Sequence, residues 1–136
     1  MNPKIWGPSG WLFIHSIALN YPDNPTKNEK NAIKDFLKSL KYLLPCKTCS
    51  ELYIKDFPLI EKQMPLIEAS KNKTNLIKWV NLMHNQVNKN INKKTYSDEE
   101  YYNYYNSLYT ESTYQNYYFY ILIVLFVISI VYIILK

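Results

Sequence analysis

The end of the chain constrains the fold most, because residues 117–136 form a long apolar run, "YYFYILIVLFVISIVYIILK". Apart from its tyrosines, Ser129 is the only polar residue before the final Lys136. As a helix, residues 117–135 are about 28 Å long, close to the roughly 30 Å hydrocarbon core of a bilayer. We therefore predict a C-terminal transmembrane helix at 118–135, with the flanking tyrosines at the headgroup level.

The distribution of charge predicts the orientation of this span and the class of partner. All sixteen basic residues are lysines, and every one except Lys136 precedes the apolar run. By the positive-inside rule, the chain is predicted to be a single-pass, tail-anchored protein with a cytosolic N-terminal domain.

The first residues, "MNPKIWGPSGW", lack the apolar core of a signal peptide. The lysines are scattered and form no basic stripe with interleaved aromatics, so we expect no nucleic-acid partner.

The rest of the chain, residues 1–110, is predicted to be one all-α domain, joined to the span by a linker at 111–117. Its apolar residues recur at helical spacing, which favours a small bundle of four to five helices. Thr26 and Glu29 form a predicted capping box, Thr74 is a predicted N-cap, and Pro58 is expected to end a helix. Two glycines are too few for a glycine-rich phosphate loop. Helices are predicted at 8–21, 26–44, 46–57, 74–91 and 97–109, with a loop or short helix at 58–73.

The chain has two cysteines, Cys46 and Cys49, which follow Pro45 at a predicted helix N-terminus. Four interpretations remain open on the residues alone. The first is a structural zinc site, which needs four ligands. Only His15 and His84 are available to complete the set begun by the two cysteines. The second is a thioredoxin-like redox site, which normally lies near a βαβ pattern. The third is a pair of inert cysteines in the core. The fourth is a redox-active disulfide, since helix N-termini favour the thiolate.

Three motifs narrow this choice. Residues 6–26, "WGPSGWLFIHSIALNYPDNPT", contain Trp-x-x-x-His followed by Tyr-Pro, and residues 44–49, "LPCKTC", contain Pro-Cys-x-x-Cys. Residues 79–93, "WVNLMHNQVNKNINK", contain His-Asn-x-Val-Asn. Their combination and order resemble the Erv/ALR family of FAD-linked sulfhydryl oxidases. The resemblance implies an FAD-binding all-α bundle, usually a dimer, which oxidises protein thiols to disulfides and passes the electrons through FAD to oxygen, giving hydrogen peroxide.

The resemblance also implies roles for individual residues. Cys46 is the distal cysteine, which a substrate thiol attacks, and Cys49 is the proximal cysteine beside the flavin. Trp79 is expected to be as much a core residue as a cofactor wall. No metal is implied. The implied cofactor-binding residues are Gly7, Pro8, Trp11, His15, Cys49, Trp79, His84, Asn85, Val87, Asn88, Ile91, Lys93 and Tyr96.

The chain departs from the family pattern at several places. Pro8 stands where relatives often carry arginine, and Leu82 replaces a histidine that some relatives have. No second cysteine pair exists to act as a shuttle, so a partner protein, or a thioredoxin-like relay protein, is expected to meet Cys46 directly.

The small size and the abundance of Asn, Lys, Ile and Tyr suggest a viral member of the family, located in host cytoplasm or the virion membrane. An endoplasmic-reticulum or mitochondrial membrane protein is the alternative location. The alternative function is a tail-anchored interaction protein with a structural cysteine pair and no flavin.

Overall fold

The computed structural model describes the backbone of residues 1–135 and the side chains of residues 1–110, 117–133 and 135. Every regular element in this part of the chain is a helix, which confirms the predicted all-α class. In chain order the helices are α1 (Pro3–Leu19), α2 (Lys27–Leu43), α3 (Lys47–Gln63), α4 (Leu66–Ala69), α5 (Lys73–Asn90) and α6 (Asp98–Ile134).

The start of α2 follows the predicted capping box. The Thr26 Oγ1 accepts a hydrogen bond from the Glu29 amide at 3.3 Å, and the Glu29 carboxylate accepts one from the Thr26 amide at 2.6 Å. These reciprocal bonds satisfy backbone donors that the first turn of a helix leaves without partners. Two residues of the apolar stripe of α2, Ile33 and Leu37, are buried in the core.

Helix α1 begins earlier than the sequence predicts. The Asn2 side chain caps it by accepting a hydrogen bond from the Lys4 amide at 2.9 Å, and Pro3 occupies the first helical position. A proline at that position is favourable because its missing N–H would have no partner there. Pro8, which was expected near the helix start, therefore lies inside α1.

Two further boundaries differ from prediction. Helix α3 does not end before Pro58 but continues through it to Gln63. The lost backbone hydrogen bond is tolerated because the buried face of α3 extends past the proline, through Phe57 to Ile60. Helix α5 is capped by Asn72 and not by Thr74, since the Asn72 side chain accepts from the Asn75 amide at 2.9 Å.

The core lies where α5 packs against α1, α3 and α4, while α2 packs against α3 and α4. Trp79 on α5 is 1% exposed and meets the edge of Phe57 on α3, with ring centroids 5.8 Å apart. Buried tyrosines reach backbone acceptors from inside this core. The Tyr53 hydroxyl donates to the Leu37 carbonyl at 2.9 Å, and the Tyr21 hydroxyl donates to the Ser70 carbonyl at 3.0 Å.

The chain divides into two compact units, Met1–Tyr102 and Asn103–Lys136. Residues 111–117, predicted as a linker, are helical, and the helix predicted to end near Tyr109 continues as α6 to Ile134. Whether a functional domain ends at 110 stays a prediction. Within the described residues, no helix is long and apolar enough to cross a membrane, so the predicted span has no support there. That span, 118–135, includes Ile134, whose side chain lies outside the described residues.

Candidate functional site

The cysteine pair forms a disulfide at the N-terminus of α3. Cys46 and Cys49 are bonded to each other, with their Cα atoms 5.2 Å apart. Cys46 is the N-cap residue, and its Sγ accepts a hydrogen bond from the Cys49 amide at 3.2 Å. Both cysteines are half-buried. The pair therefore combines solvent access with the positive end of a helix dipole, the environment that stabilises a cysteine thiolate.

A side-chain contact ties this helix start to α2. The Ser50 hydroxyl, in the first turn of α3, donates to the carbonyl of Lys41 in the last turn of α2. Lys41 in turn lies over the ring of Phe57, with its Nζ 3.5 Å from the ring centroid. The disulfide is thus held on a helix end that is fixed to its neighbour.

A second cluster joins α1 to α5 through aromatic rings. Trp11 stacks flat on His84, with ring centroids 3.8 Å apart and planes 4° apart. His15, one turn after Trp11, places its Nε2 3.0 Å from the Nδ1 of His84. Tyr101, near the start of α6, lies against both histidines, with centroids 5.2 Å from His15 and 4.9 Å from His84. We call these four residues the ring cluster.

The histidines of the ring cluster are neutral at pH 7. Burial, helped by the nearby His84, lowers the pKa of His15 from 6.5 to about 3. Burial and the positive charge of Lys93 lower the pKa of His84 to about 4. Because both rings are neutral, one ring nitrogen of the pair donates its proton to the other. The cluster therefore presents flat, uncharged surfaces that carry a few polar atoms.

Two asparagines of α5 connect the ring cluster to the chain that follows. The Asn88 amide donates to the Tyr101 hydroxyl at 3.0 Å, and this hydroxyl donates to the Asn85 Oδ1 at 3.1 Å. Asn85 also pairs with the backbone of Tyr96, donating to its carbonyl at 2.7 Å and accepting from its amide at 2.9 Å. These bonds hold the segment after α5 against the predicted His-Asn-x-Val-Asn face.

The structure brings together only some of the predicted cofactor residues. Trp11, His15, His84, Asn85, Asn88 and Tyr96 form one network with Tyr101. Trp79 is in the core, and Val87 is half-buried on α5. Ile91 and Lys93 meet this network through their backbone, since their amides donate to the Asn88 carbonyl at 3.2 Å and 2.8 Å. Gly7 and Pro8 lie in the first half of α1, ahead of Trp11. Cys49 is bonded to Cys46 at the start of α3.

Tyr101 is the member of the cluster that the sequence does not reveal. It is 5% exposed, whereas Tyr102 and Tyr104 beside it are 45% and 59% exposed. The nearest signal is a capping box at 97–100: the Ser97 Oγ accepts from the Glu100 amide at 3.1 Å, and Glu100 accepts from the Ser97 amide at 2.7 Å. That box sets the start of α6, but four tyrosines follow within five residues. Two of them, Tyr101 and Tyr105, are buried, and nothing local shows which one lies against the histidines.

These features define a small helical protein with an accessible disulfide at a helix N-terminus and a separate, uncharged wall of stacked rings. The Erv1/Alr family profile matches residues 8–106, which include both features. The chain therefore belongs to the Erv1/Alr family, and the predicted family is confirmed.

Relatives by sequence include two viral proteins and one from yeast. A probable FAD-linked sulfhydryl oxidase of Acanthamoeba polyphaga mimivirus is 38% identical over 69% of this chain and 64% of its own length. A putative FAD-linked sulfhydryl oxidase of Invertebrate iridescent virus 6 is 37% identical over 68% of this chain and 85% of its own. The mitochondrial FAD-linked sulfhydryl oxidase of Saccharomyces cerevisiae is 35% identical over 64% of this chain and 43% of its own. The chain thus spans less than two thirds of the mimivirus and yeast proteins.

Solved structures agree with this assignment. The yeast Erv1 core superimposes with a TM-score of 0.67 at 27% identity, covering 77% of this chain and 84% of that chain. The FAD-binding domain of Erv1 from Saccharomyces cerevisiae superimposes with a TM-score of 0.65 at 30% identity, covering 79% and 96% of the two chains.

Proposed function

We propose that this chain is an FAD-linked sulfhydryl oxidase that forms disulfide bonds in partner proteins. The observation that carries the proposal is the occurrence, within the family match of residues 8–106, of a helix-capping disulfide together with the ring cluster. The disulfide is a chemically competent oxidant of thiols, and the ring cluster is suited to a flat aromatic cofactor. The names of the viral and yeast relatives support the same activity.

The residues of the ring cluster fit a flavin. Trp11 and His84 offer stacked planar faces, and Trp11 remains half-buried, so its ring is within reach of a ligand. The neutral histidines, Asn85 and Asn88 supply hydrogen-bonding atoms without burying a charge next to the rings. Apolar walls with a few directed polar atoms are the usual composition of such sites. We further propose that the exposed Lys93 pairs with a phosphate of the cofactor.

The chemistry begins at Cys46. A substrate thiolate attacks the Cys46 Sγ, a mixed disulfide forms, and the bond between Cys46 and Cys49 breaks, which leaves Cys49 as a thiolate. The second thiolate of the substrate then attacks the substrate sulfur that is bonded to Cys46. The substrate disulfide forms, and Cys46 departs as a thiolate. The substrate has lost two electrons and two protons, and the cysteine pair has gained the two electrons. Bound FAD supplies the two-electron acceptor for the reduced pair and a route to oxygen, which becomes hydrogen peroxide.

The cap position of Cys46 favours the second of these steps. Its Sγ already accepts a hydrogen bond from the Cys49 amide at the N-terminus of α3. The same donor and the helix dipole stabilise Cys46 as a departing thiolate, and a better leaving group accelerates disulfide exchange. We therefore assign Cys46 to the substrate and Cys49 to the cofactor side, as the family resemblance implies.

The partners we propose are thiol-containing proteins that reach Cys46 directly. This chain holds two cysteines, and both are used in the disulfide at α3, so no internal shuttle pair supplies the electrons. A thioredoxin-like relay protein is one form that such a partner takes. We also propose a homodimer, which the family resemblance supports and which light scattering of the purified protein tests directly.

We further propose that the apolar end of the second unit associates with a membrane. Its support is the composition of residues 117–135 and the exposure of the large apolar side chains along 117–133. The lysine distribution favours a cytosolic N-terminal unit. Viral origin, and a virion membrane in place of a mitochondrial or endoplasmic-reticulum membrane, stay predictions. Retention in the pellet after alkaline carbonate, with the N-terminal unit digested by added protease, is the expected result, and release into the supernatant contradicts it.

The oxidase activity is tested by purifying the full chain and recording its absorbance and its oxygen consumption with a dithiol. We expect a yellow protein with flavin absorbance and dithiol-dependent oxygen uptake that yields hydrogen peroxide. A folded, colourless protein that gains no flavin absorbance on incubation with FAD contradicts the proposal. It would favour the alternative in which the cysteine pair is structural.

A further inference from the structure

A buried carboxylate bridges the two helices that carry the redox disulfide and the histidine face. Asp56 on α3 is 1% exposed. Its Oδ1 accepts a hydrogen bond from the Gln86 side chain at 3.3 Å, and its Oδ2 accepts one from the Asn90 side chain at 2.6 Å. Gln86 and Asn90 are four residues apart on α5, so they project from neighbouring turns of the same face. No ion pair among the described residues includes Asp56.

This arrangement is a costly way to stabilise a core. A buried carboxylate that meets only neutral amides loses its hydration without gaining an opposite charge, and replacing such groups by packed apolar residues is often neutral or stabilising. The neighbours of Asp56 on the inner face of α3 are the apolar Phe57 and Ile60 together with Tyr53. The pattern of the helix alone would place a leucine or isoleucine at this position. Stability therefore does not account for the carboxylate.

The geometry of the bridge explains the buried carboxylate better than stability does. Each carboxylate oxygen takes one donor, and the two donors lie one turn apart, so the pair of bonds limits both sliding and rotation of α3 against α5. Hydrogen bonds are directional, whereas the edge contact between Phe57 and Trp79 on the same two helices is apolar packing. Buried polar contacts that fix register are the best-supported use of such groups.

The two helices joined by this bridge carry the residues of the proposed reaction. Cys49 precedes Asp56 by seven residues, which is two helical turns or about 10.5 Å along the same face of α3. On α5, Gln86 lies between His84 and Asn88 in sequence. The carboxylate thus lies between α3, which begins at the disulfide, and α5, which carries His84 and Asn88.

We infer that Asp56 is a positioning residue, which fixes the register of α3 against α5 and thereby the placement of Cys49 relative to the face of His84 and Asn88. The inference rests on the proposed function, because the placement matters only if the cysteine pair exchanges electrons with a cofactor at that face. Small displacements of reacting groups cost large factors in rate: a shift of about 1 Å can cost roughly a hundredfold.

The test uses the flavin-loaded full-length protein with Asp56→Leu and Asn90→Ala. Asp56→Leu removes the carboxylate but keeps the branched shape of the side chain with a somewhat larger volume, and Asn90→Ala removes one donor at an exposed position where alanine favours the helix. Asp35→Asn, on the exposed surface of α2, is the matched control for the loss of one negative charge. Each protein is compared by kcat and KM for a dithiol per bound flavin, and by its midpoint of urea unfolding.

We expect Asp56→Leu to lower kcat per bound flavin by about tenfold or more while KM changes by no more than about threefold. The midpoint of urea unfolding should change little, because the amides left behind are on the half-buried Gln86 and the exposed Asn90 and can bond to water. The loss of rate is then not a loss of folded protein. Asn90→Ala should lower kcat by a smaller factor, and Asp35→Asn should leave it unchanged. In a Cys46→Ser background, the long-wavelength band of the Cys49 thiolate beside oxidised flavin should weaken with Asp56→Leu.

Two different outcomes overturn the inference, and they are distinguishable. If the unmodified protein is yellow and active but both variants keep its kcat and its thiolate band, Asp56 does not position the pair, and the proposed function stands. If the unmodified protein binds no flavin, the inference fails together with the proposed function.

Discussion

Trp11 lies flat against His84, with the two ring centroids 3.8 Å apart and their planes 4° apart, so that α1 and α5 are joined by a stack of two rings. The indole supplies most of the area of this aromatic surface, and the neutral imidazole supplies its polar edge. The stack joins the Trp-x-x-x-His motif to the His-Asn-x-Val-Asn motif, whose histidines are 69 residues apart in sequence.

Removing this aromatic surface is expected to weaken flavin binding. Trp11→Ala should raise the dissociation constant for FAD by roughly tenfold or more, because it removes both the buried area and the ring stacking. Trp11→Phe keeps an aromatic face and should recover most of the affinity. Fluorescence titration of the flavin-stripped protein measures both variants. Equal affinities of the alanine and unmodified proteins would show that the ring does not line the cofactor site.

The stability of the N-terminal unit is expected to fall in mild acid. The pKa values of His15 and His84 are lowered by burial to about 3 and about 4, below the ordinary value of 6.5. The unfolded chain therefore takes up protons first as the pH falls, and the stability of the neutral pair, complete above pH 6.5, is lost from there downward. Between pH 6.5 and 5 each histidine should cost up to about 2 kcal/mol of unfolding free energy.

Urea unfolding monitored at pH 7.5, 6 and 5 measures this loss in a range above the ordinary pKa values of the carboxylates. Replacing His15 by Gln removes one titrating group, and the pH dependence of that variant should be about half as steep. A free energy of unfolding that stays constant between pH 7.5 and 5 would contradict the neutral, buried state of the two rings.

Tyr101 is expected to matter through its hydroxyl. Tyr101→Phe keeps the ring against the histidines but leaves the buried Asn88 amide without its acceptor and breaks the bond to Asn85. The loss should be about 1–3 kcal/mol of unfolding free energy, the typical cost of a buried donor left without a partner. Tyr102→Phe, at an exposed neighbouring position, is the matched control and should change stability little. Equal stabilities of the two variants would refute the network.

The two cysteines are expected to differ in function. In Cys46→Ser the Cys49 thiolate should persist beside oxidised flavin and give a long-wavelength absorbance band that titrates with a lowered thiol pKa. In Cys49→Ser that band should be absent, and a mixed disulfide with substrate should accumulate on Cys46. Both variants should lose dithiol-dependent oxygen uptake. Normal turnover by Cys46→Ser with a protein substrate, or the band in Cys49→Ser instead, would reverse the assigned roles.

The local signals of the sequence predicted the local structure well. The capping box of Thr26 and Glu29, the helix start at Cys46 and the apolar face of α5 all depend on residues within one or two turns of each other. The failures have more than one cause. Helix α3 continues through Pro58 because its buried face extends beyond the proline, which the neighbouring residues do not indicate. The starts of α1 and α5 depend on the caps Asn2 and Asn72, which are local signals that the prediction missed. Helix α6 passes through the predicted linker without a break.

The candidate site also contains residues that the sequence predicted and residues that it did not. The motifs pointed to Trp11, His15, His84 and Asn88, and the structure brings these four together with Tyr101. Tyr101 is one of two buried tyrosines at the start of α6, and its place in the site depends on its contacts with the two histidines. The sequence did not predict the buried position of Asp56 either, because an acidic residue on a helix ordinarily faces solvent. Its partners are 30 and 34 residues away on α5.

An anaerobic titration of the purified protein with a dithiol, followed by the flavin absorbance, tests the central claim most directly. The account predicts that the absorbance of oxidised flavin bleaches as dithiol is added, that it returns when oxygen is admitted, and that Cys49→Ser bleaches far more slowly. A flavin that is reduced equally fast in Cys49→Ser, or a protein that holds no flavin to reduce, would contradict the claim that the disulfide on α3 carries electrons from substrate thiols to FAD.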